Sequence, residues 1–185
     1  MKLTKQSKQQ LKHRVETHLA KQRVLALKAN IARRNRYLKE VDKRVSHLGS
    51  HLKNRSVGKI VLSILYWCEG KGSQSSSLTF GNSNPEIIKL FLSVLRKNYD
   101  IDEAKFRCTL QGRADQGIRE LEKYWSTVTE IPLSQFYKAR IDPRSAGKTS
   151  RKKNYKGVCR IDYFSADIFH ELKAIQKSLI KNMGL

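Results

Sequence analysis

No glycine occurs before Gly49 and no proline before Pro85, so the first 48 residues contain neither of the two residues that most often break a helix. One long helix is therefore predicted from about residue 5 to 48. Within it Val24, Leu27, Ile31, Arg34, Leu38, Val41, Val45, Leu48 and Leu52 recur at alternating steps of three and four. This is the seam of a heptad repeat, with Arg34 its one polar member. Such a seam suits a coiled coil or a helix docked along a partner, and a solvated basic helix is the competing reading. Lys28 to Lys39, KANIARRNRYLK, interleaves basic and apolar side chains as helices lying against phosphates do. No turn residue splits the stretch into a helix-turn-helix, so contact with a nucleic-acid backbone is expected rather than base reading.

Charge divides the 185-residue chain. Residues 1–55 hold 16 Lys and Arg against 3 acids, and residues 56–185 hold 22 against 13, for a total of +22. A field of that sign favours polyanions through counterion release, which makes nucleic acid the first expected partner. The length allows one well-buried domain and an appendage. Residues 1–55 are read as a basic helical extension and residues 56–185 as an α+β domain. No apolar run reaches the roughly 18 residues of a spanning helix, and the start MKLTKQSKQQ lacks a signal-peptide core. A soluble cytoplasmic protein without membrane attachment is expected, nucleoid-associated in a bacterial host. Cys68, Cys108 and Cys159 have no paired spacing and lie in apolar segments, so all three are expected as buried thiols.

From Val57 the rhythm shortens. Ser56 is read as the cap of a helix running to Glu69, ended by Gly70 in the left-handed conformation, with Leu62, Ile64, Leu65, Tyr66 and Trp67 buried. Leu78 and Phe80 share a strand face. Asn84 and Pro85 open a helix whose Ile87, Ile88, Phe91, Leu92 and Leu95 face the core. In KFRCTLQ, Phe106, Cys108 and Leu110 point inward, and Lys105, Arg107, Thr109 and Gln111 point outward. A helix from about Asp115 to Thr129 follows. FYKAR is read as a strand with Phe136, Lys138 and Arg140 on one face, GVCRIDYF as the last strand, and Ala166 to about Lys181 as the last helix.

Between those strands residues 142–157 form a basic loop with Arg144, Lys148, Arg151, Lys152, Lys153 and Lys156, read as a phosphate clamp or as a plain hairpin excursion. These residues, with Lys105, Arg107, Thr109, Arg140 and Arg160, make up the expected DNA-contacting set.

Residues 62–70, LSILYWCEG, align in register with a degenerate LAGLIDADG motif. With Asn82-Ser83-Asn84-Pro85 and the segments FRCTLQGRADQ, YWSTVTEIPLSQFYK and NYKGVCRI, residues from about 57 to 180 resemble the small single-motif LAGLIDADG homing-endonuclease-like proteins that carry a YWxEG helix. The resemblance implies a mixed α/β domain whose motif helices pair at a two-fold axis and whose strands saddle a DNA groove. It implies a homodimer on double-stranded DNA, with Mg²⁺ as cofactor and metal-dependent cleavage as the activity. Glu69 stands at the metal-binding carboxylate position. Gln111 and Lys138 are weaker catalytic candidates, for orienting water or stabilising charge. Trp67 replaces the motif's first acid and Ile64 its usual glycine. A non-catalytic DNA-binding transcriptional regulator and a basic RNA-binding protein are the alternatives that the residues leave open.

Overall fold

The computed structural model describes residues 4–71, 77–149 and 154–184. The chain divides into two compact units, residues 1–50 and residues 51–185. Where it is described, the first holds one α-helix, α1 (Lys5–Val45), capped by the Thr4 hydroxyl and followed by a 3-10 turn from Leu48, and none of the residues of α1 is buried.

The second unit runs α2 (Arg55–Glu69), β1 (Gly70–Lys71), β2 (Leu78–Asn82), α3 (Pro85–Asn98), β3 (Phe106–Arg113), α4 (Ile118–Thr129), β4 (Arg140–Asp142), β5 (Val158–Tyr163) and α5 (Ala166–Asn182). Its five strands are ordered β1-β2-β5-β3-β4. All neighbours are antiparallel except β3 and β4, which are parallel. The last two strands are thus not a hairpin, because β3 lies between them. Among the described residues no helix is long and apolar enough to cross a membrane.

One core joins the inner sheet face to α2–α5. Leu78, Phe80, Phe106, Cys108, Leu110, Cys159 and Ile161 pack with Leu62, Tyr66, Phe91, Trp125 and Leu172, all nearly inaccessible. Phe80 stacks on Phe91 with ring centroids 3.9 Å apart. Burying each such side chain stabilises the fold by about 1.5–3 kcal/mol, which holds the sheet's inward parity. Cys108 and Cys159 are buried with sulfurs 3.2 Å apart, whereas Cys68 is exposed, contrary to expectation.

Several local expectations change. Asn54, not Ser56, caps α2: its side-chain oxygen accepts from the amides of Ser56 and Val57 at 2.9 and 3.4 Å. Gly70 is extended (φ −78°, ψ 147°), not left-handed. It must be glycine because a Cβ there would run into the Tyr66 carbonyl and ring. The helix expected from Asp115 starts at Ile118, since Gln116 is held out of it: its Oε1 accepts from the Arg113 amide and its Nε2 donates to the Tyr155 carbonyl. On α2, Leu62 and Tyr66 are buried, but Ile60, Ile64 and Trp67 are exposed. The small residues serve the chain's own packing instead. Gly58 lies against the Asn98 side chain, and the Ser63 hydroxyl donates to the Leu172 carbonyl of α5.

Candidate nucleic-acid interface

The sheet's outer face is built in rows by strand register. Thr79, Asp162 and Arg107 stand side by side on β2, β5 and β3. Gly81, Arg160 and Thr109 form the next row. Val158, Gln111 and Arg140 form the third, on β5, β3 and β4. Five residues expected from sequence, Arg107, Thr109, Gln111, Arg140 and Arg160, therefore share one face, and Gln111, Arg140 and Arg160 are exposed on it. Neighbouring strands lie about 4.8 Å apart, and each row carries one of the three arginines, Arg107, Arg160 or Arg140.

Arg140 reaches this face by a local irregularity. Phe136 bridges Cys108 on the core side, and Arg140 pairs with Gln111 on the outer side. Four steps along the chain thus match three along β3, and the extra residue reverses the parity; FYKAR, expected as a strand, makes one isolated bridge at Phe136 and enters β4 only at Arg140. Phe136 and Arg140 therefore lie on opposite faces, where simple alternation predicts a shared one. Phe136 is half-buried against the core, and Lys138 lies exposed between the bridge and β4.

The face also holds an acid that the sequence reading did not single out. Asp162, 5% exposed, accepts from the Thr79 hydroxyl at 2.7 Å and from Arg160 Nε and Nη2 at 3.0 and 2.8 Å. Strand parity two residues after Arg160 is the signal that could have found it. Arg107 is held by its own backbone, Nη1 donating to the Ala104 and Phe106 carbonyls at 2.7 Å. The Arg140 side chain has no hydrogen-bond or ion-pair partner among the described residues, which leaves its guanidinium open to a ligand.

The loop after β4 is tethered rather than loose where it is described. Ser145 is buried and accepts from the Ala114 amide, Arg113 donates to the Lys148 carbonyl, and Trp125 Nε1 donates to the Lys156 carbonyl. Gly157, at φ +70°, brings the chain back against Gln111, whose carbonyl a Cβ would strike. Arg144 is exposed but paired with Asp142 at 3.0 Å, and its hydrogen bond holds that carboxyl below the usual carboxylate range. Lys156 stands apart from the sheet rows, its Nζ 5.5 Å above the Tyr124 ring of α4. Lys105 sits in the turn before β3, 4.0 Å from Asp102. Arg151, Lys152 and Lys153 lie outside the described residues.

Glu69 is the exposed last residue of α2, which passes directly into edge strand β1. Tyr66 fixes this corner: the Thr79 backbone donates to its phenol oxygen, and burial raises its pKa above the ordinary value. Gly70, the next residue, pairs with Phe80, so Glu69 sits at the β1 edge of the sheet. Gln111 is three strands across, about 14 Å away or more within one chain. The three catalytic candidates Glu69, Gln111 and Lys138 are thus not drawn into one cluster in a single copy. A helix-terminal ion pair from Glu69 to Lys71, a base two residues along the chain, would involve a side chain outside the described residues. Among the described residues no group of three or more His, Cys, Asp or Glu side chains could hold a metal ion.

Comparison with known protein families, curated proteins and solved structures finds no match.

Proposed function

We propose that residues 51–185 form a LAGLIDADG-like domain that binds double-stranded DNA across the open face of its sheet. The observation that carries the reading is the convergence of Arg107, Arg140 and Arg160, with Thr109 and Gln111, on that one face. Arginines supply charge to phosphates, and hydroxyl and amide groups between them supply hydrogen bonds. The core-facing helices leave this surface free of their own packing, and the motif helix α2 opens the domain.

Homodimerisation belongs to the same reading. Ile60, Ile64 and Trp67 are 37%, 45% and 47% exposed at helical spacing on α2, and an apolar stripe of that kind is ordinarily covered. A two-fold pair through these stripes would favour a near-palindromic duplex.

Cleavage is the finer part of the proposal. Glu69 offers a hard, exposed carboxylate suited to Mg²⁺, and in a dimer each copy would contribute one. Bound Mg²⁺ would supply Lewis acidity toward a phosphodiester and a more acidic water. The chain's own part is to hold that carboxylate at a fixed corner, through the Tyr66–Thr79 contact and the close approach at Gly70. The outer-face arginines would meanwhile fix the duplex in register.

The test is incubation of the purified protein with a pool of duplex DNA in Mg²⁺ and in EDTA, following breaks and retardation together. Glu69→Gln is expected to abolish nicking and keep duplex affinity. Retardation without breaks would keep the binding reading and remove cleavage on the sequences present. Absence of both, or equal preference for single-stranded RNA, would sink the proposal.

A further inference from the structure

The helix α1 presents two features that one partner must satisfy together. Its seam residues Val24, Leu27, Ile31, Leu38 and Val45 are between 43% and 60% exposed, in an element with no buried residue. Its charge is 13 Lys and Arg against only Glu16, Glu40 and Asp42. A 41-residue helix with this much exposed apolar surface gains most of its stability from whatever covers the stripe.

A second copy is a poor cover. Parallel pairing in register would set Arg34 against its own equivalent across the axis and Arg23 of one helix beside Lys28 of the other. Antiparallel pairing removes those contacts but still lays one strongly basic helix along another. Nucleic acid would neutralise the charge, yet it would leave the apolar seam in water. An acidic helix with its own apolar stripe satisfies both.

We propose that α1 is one strand of a heteromeric coiled coil, whose partner is an acidic amphipathic helix of another protein with a carboxylate opposite Arg34. Burial of the seam supplies affinity, and the acidic flanks select against self-pairing. The inference stands whether or not the sheet binds DNA.

The probe is a synthetic peptide of about four heptads, with Ile and Leu at the seam positions, Glu on both flanks and Glu facing Arg34. Mixed with the full chain it should raise the helical circular dichroism above the sum of the parts. It should also bind with 1:1 stoichiometry in calorimetry. The double variant Ile31→Ser with Leu38→Ser should weaken binding at least about tenfold. These positions lie outside the domain core, so an unchanged thermal transition of that core verifies folding of the variant. A charge-matched peptide with Ser at the seam positions should bind at least about tenfold more weakly.

Absence of binding would overturn the proposal. Equal binding of both peptides, or no effect of the seam variant, would overturn it in favour of a surface that attracts any polyanion. Self-association lost in light scattering on Leu38→Asp would also overturn it, assigning the seam to a second copy.

Discussion

Arg160 and Asp162, two residues apart on β5, form an ion pair on the outer face of the sheet, Nη2 to Oδ1 at 2.8 Å, with the Thr79 hydroxyl completing the carboxylate's contacts. The Thr79 contact ties the face's central strand to β2, and the ion pair fixes the direction of one of its arginines. It also sets a negative charge among the groups proposed to meet phosphates.

Asp162→Asn should therefore act on stability first. The buried side chain keeps its shape but loses the charge that strengthens its hydrogen bonds, which is worth about 1–3 kcal/mol. Urea unfolding should show a lower midpoint at unchanged slope. In a cycle with Arg160→Ala the two losses should be clearly less than additive, because they remove one interaction. Additive losses would show that the contact carries little energy.

The arginines of the outer face should be visible in the salt dependence of duplex binding. Arg140→Ala, at a side chain without a described partner, should lower the slope of log affinity against log salt by about 1. Lys156→Ala, whose ammonium sits over Tyr124, should change it much less. Lys152→Ala with Lys153→Ala should lower it by roughly 2 where the basic loop contributes to the same footprint. A slope indifferent to Arg140 would move the interface off the sheet.

Oligomeric state separates the two apolar stripes. Ile64→Asp puts a charge in the exposed face of α2 without touching the core, and it should convert a dimer to a monomer in light scattering. Leu38→Asp should leave the mass unchanged. The reverse result would assign dimerisation to α1.

The thiols report the core. Cys68 should react quickly with a thiol reagent in the native protein, and Cys108 and Cys159 only after unfolding. The hydrogen bond with Cys108, together with burial, pushes the Cys159 thiol well above its ordinary value. The folded state then keeps a proton that the unfolded chain releases above about pH 8.5. This contribution is complete below that pH and is lost as pH rises, so the urea midpoint should fall between about pH 8 and 10. Cys159→Ala should flatten that decline, and an equal decline in the variant would place its cause elsewhere.

Gly70→Ala should destabilise the domain by about 1–3 kcal/mol through overpacking against Tyr66, measured by thermal unfolding. Gly49→Ala, with open space around its Cβ, is the control expected to be near neutral.

Much of this architecture was legible locally. The missing glycines and prolines announced α1, Asn84-Pro85 announced α3, and alternation in FRCTLQ set the two faces of β3. The losses were at places where a second element intervenes. Gln116 delays α4 because its side chain is needed by Arg113 and Tyr155. Ile64 and Trp67 read as core because they are apolar, but α3 and α5 cover the other side of α2, through Gly58 and Ser63. Neither contact has a signature in the helix's own sequence.

By itself the sequence determined most of the helices and strands, where several of them start, and that the chain is a basic helix joined to an α+β domain; β1 and the short reach of β4 were not in it. Those outcomes rest on periodicity, capping and charge, which act between near neighbours. Tertiary structure alone decided the strand order that brings Arg160 beside Thr109, and the extra residue that turns Arg140 outward beside Gln111. Strand pairing joins residues far apart along the chain, and it is selected by how one shared core fills. No local pattern can encode which arginines end as neighbours.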